Sequence, residues 1–458
     1  MRAAAMVTSS LVLGLGASPA HAAPPTRGDD IVVVEPQPRT ARRAGTPDRL
    51  FLNRCAQGCA IRTGGNDAYE DRSTIPTGDS TLSPFSLGDE AWTAMLACVR
   101  ATYAPYGVDV VDVEPTPGDA HVEIMVAGRP DEIGQDATTL GIAPLTSDCS
   151  PQVGVIGFAF ANIHAAGNPA DLCATVAHEA GHVYGLDHAF ECKDPMTYLT
   201  SCEGKVFLNL ELPCGEFEGT RPCKCSGLQS SHERLTAALD PGVVPQAGAV
   251  TIPYPTDGLV VPRATTVFVE TDEPRTAIRV ELWINGRRRA EQAVAIDDRL
   301  FELAIPADVS DGVLDLEARV VSDLGQVGVA TVRVTQGVGC DLAEGCAAGE
   351  ACDAAGRCVP ALGAAALGAS CADDLDCASQ RCDDRLGACT VACVPAVEGQ
   401  CPDEYSCTPA PGGVARLCYP TALLDTGGCC QAGPRQGPPW VAALLVAVGL
   451  GVGRRRRR

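Results

Sequence analysis

Basic residues are scarce in this 458-residue chain: 35 lysines and arginines stand against 57 aspartates and glutamates, a net charge of −22. That balance repels nucleic acid and keeps an exported protein soluble, so no nucleic-acid partner is expected. The five arginines Arg454–Arg458 do not alter this, because they cluster at one end of an acidic chain. Long apolar runs are lacking as well. Trp440–Val452 has 13 residues, about 20 Å as a helix, short of the roughly 30 Å hydrocarbon core of a bilayer. Cysteine is absent from Val250 to Gln336, although the chain holds 24. Histidine numbers only seven, and three of these fall within eleven residues.

Those eleven residues are His178-Glu179-Ala180-Gly181-His182-Val183-Tyr184-Gly185-Leu186-Asp187-His188. On a helix, positions four apart share one face, so His178 and His182 can reach a single ion. Gly185 can take a left-handed conformation without a Cβ penalty, end the helix and turn the chain back. The turn brings in His188 as a third ligand. Three nitrogen ligands leave a fourth tetrahedral position for water, which separates a catalytic zinc from a structural one. Zinc lowers the pKa of bound water towards 7 and polarises a carbonyl. Glu179, beside the metal without ligating it, is the general base.

The flanking sequence supplies elements for such a site. Asn168-Pro169-Ala170-Asp171 reads as N-cap, proline at the first helical position and an acid in the first turn. The helix is predicted from Pro169 to Tyr184, with Leu172, Val176 and Val183 on its packed side. Asp89–Tyr103 has helical spacing through Trp92, Met95, Leu96 and Val99. Val108–Val113, His121–Val126 and Val153–Asn162 read as strands. His121 and His164 are not expected as ligands, since one alternates within a strand and the other lies in a loop.

Downstream stands Asp194-Pro195-Met196-Thr197-Tyr198, and Met196 is the only methionine after Met125. With the histidine pattern, this segment resembles the metzincin clan of zinc endopeptidases. The resemblance covers about residues 45–240 and is specific across 178–198. It implies an α+β metzincin-like catalytic domain, with Met196 as an apolar floor under the metal. Tyr198 resembles a tyrosine of the astacin and serralysin branches that can ligate zinc and swing to stabilise the tetrahedral intermediate; the plain alternative is a packed aromatic. The residue after the third histidine is Ala189, which matches no particular branch. The resemblance also implies that Val153–Asn162 forms an exposed sheet edge that binds substrate as an added strand; the alternative is a buried strand. No cysteine-switch propeptide like that of the matrixins is visible. Thr40-Ala41-Arg42-Arg43 reads as a basic linker or a processing site.

Residues 1–22 read as a secretory signal, with Arg2, the apolar Leu11–Gly16 and a site at Ala20-His21-Ala22. Export permits disulfides. Ten cysteines lie in the zinc region: Cys55, Cys59, Cys98, Cys149, Cys173, Cys192, Cys202, Cys214, Cys223 and Cys225. Their connectivity is open, although a Cys192–Cys202 bridge would brace the methionine turn. Disulfides are expected around Cys55 and Cys59 in preference to a cysteine on the zinc, and at Cys223 and Cys225 in preference to a second metal.

The remaining chain divides by composition. Residues 23–44 form a linker or short pro-segment, 45–242 the zinc domain, and 248–336 an all-β Ig-like sandwich. The last is marked by Ile278–Ile284, the Asn285-Gly286 hairpin turn, Leu314–Val321 and Val327–Val334. Residues 338–420, dense in cysteine, form a small disulfide-rich module. Residues 426–458, with Cys429-Cys430 and the terminal arginines, resemble the myxobacterial C-terminal sorting tail. That resemblance implies processing near Cys429 or Cys430 and attachment to the outer surface or envelope; a short permanent anchor is the alternative. The sequence thus points to a secreted, surface-sorted zinc endopeptidase acting on protein or peptide substrates. It has Zn²⁺ as its cofactor, His178, His182 and His188 as ligands, and Glu179 and Tyr198 as catalytic residues. The alternative is a surface adhesion protein with a vestigial zinc domain. Oligomeric state is not encoded in any motif.

Overall fold

The computed structural model describes residues 30–36 and 48–421, apart from 117–118, 200–201, 203, 218, 297, 341–344, 361–362, 364, 384–385, 396–398 and 410–415. The expected signal (1–22) and sorting tail (426–458), with Cys429 and Cys430, lie outside the described residues. Among the described residues the chain is mostly β-sheet, with three α-helices and eleven disulfides. No described helix is long and apolar enough to cross a membrane. Two compact units meet in sequence at Pro245 and Gln246.

The first unit begins with β1 (Ile31–Val34) and β2 (Asp48–Asn53). A small sheet of β3 (Cys59–Thr63), β4 (Arg72–Ser73) and β5 (Ser80–Leu82) follows. Helix α1 (Asp89–Tyr103) has the predicted bounds and buries Trp92, Met95, Leu96 and Val99. Burying each such side chain contributes about 1.5–3 kcal/mol. Strands β6 (Val108–Val111), β7 (Val122–Val126), β8 (Gly141–Thr146) and β9 (Ile156–Ala159) complete a six-stranded sheet of order β1-β8-β9-β7-β2-β6. Only the β8–β9 pairing is antiparallel. Helix α2 (Pro169–Val183) packs on β7, β8 and β9 and on α1. Leu172, Val176 and Val183 face this core, as their spacing predicts. The unit ends with a hairpin, β10 (Cys214–Glu216) and β11 (Gly219–Arg221), and α3 (Ser231–Leu239), capped by the Ser230 hydroxyl on the Glu233 N–H.

Two readings of this region are corrected. Val153–Asn162 supplies no exposed edge: β9 is buried between β8 and β7. The edges of the sheet are β1 and β6; β8 lies between β1 and β9, and its ladder to β9 covers only Gly141 and Ile142. Asn168 stands at the N-cap, with Pro169 opening the helix and Asp171 in its first turn as predicted; the Asn168 side chain accepts from no helix N–H, and its amide donates to the Asp171 carboxylate at 2.6 Å. Residues read as linker or pro-segment supply β1, which pairs parallel to β8 from Ile31↔Ala143 to Val34↔Thr146. Four consecutive β-branched residues favour that extended form.

In the second unit, β12 (Val250–Tyr254), β13 (Val260–Val261), β14 (Thr266–Thr271), β15 (Ala277–Ile284), β16 (Arg287–Ala293), β17 (Leu300–Ala304), β18 (Gly312–Ser322) and β19 (Val327–Gln336) form two sheets, β12-β14-β17 and β13-β19-β18-β15-β16. Their inner faces share one apolar core, including Val267, Phe301, Leu282 and Leu316. Asn285 and Gly286, both at positive φ, form the predicted β15–β16 turn. Beyond it, six disulfides hold the cysteine-rich residues from Cys340 to Cys418.

Candidate metal centre

Helix α2 carries His178 and His182 one turn apart on its buried face. The helix stops where the motif predicts. Gly185 sits at φ +95°, its N–H donating to the His182 carbonyl at 3.0 Å, and the Leu186 N–H donates to the Gly181 carbonyl at 2.9 Å. A Cβ on Gly185 would stand 2.2 Å from the Cys149 carbonyl oxygen, so no other residue fits there without movement. The reversal places His188 opposite the helix, and all three imidazoles are buried.

Each ring is oriented by a partner on its outer nitrogen. His178 Nδ1 donates to the Pro195 carbonyl and His182 Nδ1 to the Leu186 carbonyl, both at 2.8 Å. His188 Nδ1 donates to the Glu216 carboxylate, also at 2.8 Å. With Nδ1 as donor, a neutral imidazole keeps a bare lone pair on Nε2. The Nε2 atoms of His178 and His182 face each other at 2.9 Å. Two lone pairs at that distance repel, and a shared cation removes the repulsion. Burial pulls His178 down to about 4, against the pull of Asp30, and burial lowers His182 too, so both are neutral ligands.

A fourth donor completes the set, and sequence reasoning missed it. Asp30, immediately before β1, sets its carboxylate 2.8 Å from His188 Nε2, 3.0 Å from His178 Nε2 and 3.7 Å from His182 Nε2. Tetrahedral donors about 2.0–2.1 Å from a zinc ion stand roughly 3.3 Å apart, which matches these separations. The donor set of three imidazoles and one carboxylate therefore fits a divalent transition metal. Burial opposes ionisation of Asp30, but His178 and His188 hold it well below the usual carboxylate range. Burial likewise opposes protonation of His188, yet the Asp30 and Glu216 carboxylates raise it to about 9. The other cysteine-containing groups with ligand-like spacing are all disulfide-bonded.

The other predicted residues surround this ring. Glu179 is buried against β8, where Gly141 makes room for its carboxylate: a Cβ there would lie 2.3 Å from Glu179 Oε1. Met196 lies fully buried under the helix, and its sulfur would be 2.4 Å from a Cβ on Gly181. The glycine inside the histidine motif thus admits the methionine. Tyr198 packs on His188 with ring centroids 4.4 Å apart, and its hydroxyl lies 3.4 Å from the Asp30 N–H. Burial, with the Asp30 and Glu179 charges, pushes its phenol well above the usual range, so it stays neutral and able to donate. Cys192–Cys202 spans the methionine turn, and Cys55 is bonded to Cys59 and is not among the clustered donors. His121, against Phe51 and Tyr69, is not among the clustered donors, and neither is His164.

Glu216 was also missed. It comes from the β10–β11 hairpin, closed by Cys214–Cys223. Arg221 Nη2 donates to it at 2.6 Å, while the same guanidinium grips buried Asp187 at 2.6 and 2.8 Å. Asp187 in turn accepts from the His188 N–H at 2.8 Å and the Lys224 N–H at 2.7 Å. A cavity of about 760 Å³ opens beside the ring, lined by Asp30, Gly141, His178, Glu179, Pro195 and Thr197 among others.

The chain matches no protein-family model and no curated protein. Among solved structures it is similar to the fibronectin(III)-like modules of CbhA from Clostridium thermocellum, at 17% identity over 19% of this chain and 93% of that one, with a TM-score of 0.16. It is also similar to CopC from Methylosinus trichosporium OB3b, at 16% identity over 21% and 98% with a TM-score of 0.17. A lytic polysaccharide monooxygenase from Jonesia denitrificans gives 12% identity over 28% and 77% with a TM-score of 0.16. Likenesses at these TM-scores bear on neither the fold nor the function of this chain.

Proposed function

We infer that this chain is a zinc-dependent endopeptidase of the metzincin type, exported and held at the cell surface. One observation carries the reading: three Nε2 atoms converge while their Nδ1 atoms are tied outward, with Glu179 buried alongside. Bound there, zinc would supply Lewis acidity for water and for a peptide carbonyl. Glu179 accepts the proton of the attacking water and returns it to the leaving amine. Tyr198, kept neutral by burial, donates to the oxygen that gains charge. Met196 supports the ring from below, and a peptide substrate reaches the metal position through the cavity lined by Asp30, His178 and Glu179. All 22 cysteines among the described residues are paired, which supports an oxidising location. The 1–22 signal and the 426–458 tail support export and surface attachment.

The test compares Asp30→Ala, which frees the fourth position, with Asp30→Ala/Glu179→Gln, both in the full chain. Loss of the base should lower peptide cleavage by about 10²–10⁴-fold with zinc still bound; cleavage that persists would sink the mechanism. A second reading, a surface protein with a vestigial zinc domain, is favoured by the Asp30 carboxylate, since four protein donors resemble a structural site. An Asp30→Ala chain that holds zinc but is inert on every denatured substrate supports that second reading.

A further inference from the structure

We propose that Phe217, at the turn of the β10–β11 hairpin, is a substrate-binding residue that selects a large apolar side chain beside the scissile bond. This rests on the zinc-peptidase reading and names the substrate class of that site. Phe217 lines the cavity that opens at the metal ring, in company with Pro195, Thr197 and Leu199. Its ring lies 5.2 Å from that of Tyr198, tilted by 43°. Tyr198 in turn packs on His188 at 4.4 Å and on His178 at 5.9 Å between ring centroids. A row of rings therefore runs from the metal ligands into the cavity. Only its outermost member is open: Tyr198 is 3% exposed, His178 and His188 are 4% exposed, and Phe217 is 36% exposed.

A single exposed phenylalanine is ordinary on a protein surface, but this one is held in place by the metal centre itself. Glu216, the residue before it, is bonded to His188 Nδ1, and Arg221 on the other strand of the hairpin grips Glu216. Cys214–Cys223 closes the base of the hairpin. The turn cannot swing away without releasing the partner of the third histidine. The Phe217 ring is thus presented to the cavity already ordered, and a ligand that docks on it loses little further freedom. Rigid aromatic side chains of this kind carry a large share of the binding energy where two molecules meet. Covering the ring removes apolar surface of both partners from water, which favours a large apolar side chain over a small or charged one. Tyr198, directly behind the ring, is the group that donates to the oxygen gaining charge. A side chain seated on Phe217 therefore belongs to a residue flanking the bond that is cut.

The test uses the full chain carrying Asp30→Ala and loaded with zinc. Cleavage of a denatured protein, read by mass spectrometry, locates the bonds that are cut. Peptide pairs are then compared that differ at one residue, phenylalanine or alanine, immediately before or immediately after the scissile bond. At one of these two positions kcat/KM should favour phenylalanine by about tenfold or more. Adding Phe217→Ala should bring that ratio to about one through a higher KM for the phenylalanine peptide, with the alanine peptide changed by about twofold or less. Phe217→Leu keeps the bulk that covers Tyr198 and loses the ring, so it should lower the preference by about threefold, and it decides the matter if Phe217→Ala unfolds or loses zinc. Equal losses on both members of every pair make Phe217 a support for Tyr198 and overturn the proposal. A phenylalanine preference that survives both substitutions, or none at either position, overturns it too, and each of these leaves the peptidase reading standing. A zinc-loaded Asp30→Ala chain that cuts no peptide overturns the peptidase reading, and this proposal with it.

Discussion

Replacing Glu216 by alanine tests whether the third histidine depends on a carboxylate outside the metal ring. His178 and His182 are fixed by a helix and by backbone carbonyls. His188 lies past the helix end, and its Nδ1 depends on Glu216 at 2.8 Å. The His188 hydrogen bond, with help from Arg221 and against partial burial, holds the Glu216 carboxyl near about 2, so it is ionised at any working pH. An ionised acceptor on Nδ1–H fixes the tautomer, aims Nε2 inward and increases its basicity. Losing such a partner typically lowers metal affinity 10–100-fold, about 1.4–2.8 kcal/mol. The Glu216 side chain is 38% exposed, so water can replace part of the interaction and the expected loss is near the lower figure, about tenfold.

Glu216→Gln retains an oxygen acceptor and loses only the charge, so it should fall between wild type and alanine. The assay is competition for zinc against a fluorescent chelator, with the visible spectrum of the cobalt-substituted protein as a check on ligand geometry. Thermal unfolding of the metal-free variants controls for a general loss of stability. Glu216→Ala with zinc affinity within twofold of wild type would refute the argument. So would a weakened affinity matched by an equal loss of metal-free stability, because Glu216 would then serve the hairpin and not His188.

Gly185→Ala should unfold at lower temperature and lose zinc stoichiometry together. The left-handed backbone costs a non-glycine residue about 1–2 kcal/mol, and the added Cβ meets the Cys149 carbonyl at 2.2 Å; an alanine chain with unchanged melting and one zinc bound contradicts the account. Glu123 on β7 gives a pH prediction. Burial raises its carboxyl to about 8, against a hydrogen bond from Asn53. The folded chain therefore keeps a proton that the unfolded chain releases above its ordinary value near 4.5. Stability is fully present below that value and falls as pH rises towards 8, by up to about 5 kcal/mol. Glu123→Gln should flatten this slope and raise the melting temperature at pH 8; a slope unchanged by the substitution excludes Glu123 as its source.

What the sequence made legible was local. Helix α1, the start of α2, the turn at Gly185 and the convergence of His178, His182 and His188 follow from short-range spacing, and Met196 and Tyr198 lie close behind in the chain. The residues missed are those joined to the ring over distance: Asp30 is 158 positions from His188, and Glu216 is 28 away in a hairpin with no periodic signal. An isolated carboxylate carries no mark of its partner until the topology is known. Strand order had a clue that apolar content concealed. Val153–Asn162 has the stronger apolar run, and that continuity belongs to a strand covered on both sides, as β9 is. Gly141–Thr146 contains Pro144, and proline in a sheet is confined to edges and irregular positions. In the structure the proline is tolerated inside the sheet, because β8 lies between β1 and β9 but pairs with β9 only at Gly141 and Ile142. Ile31–Val34, an isolated β-branched segment behind an aspartate, had the composition of the strand that covers it. The same reasoning sets the limit of the histidine motif. It specifies three ligands and the turn between them, while the fourth position is decided by whichever strand pairs with β8.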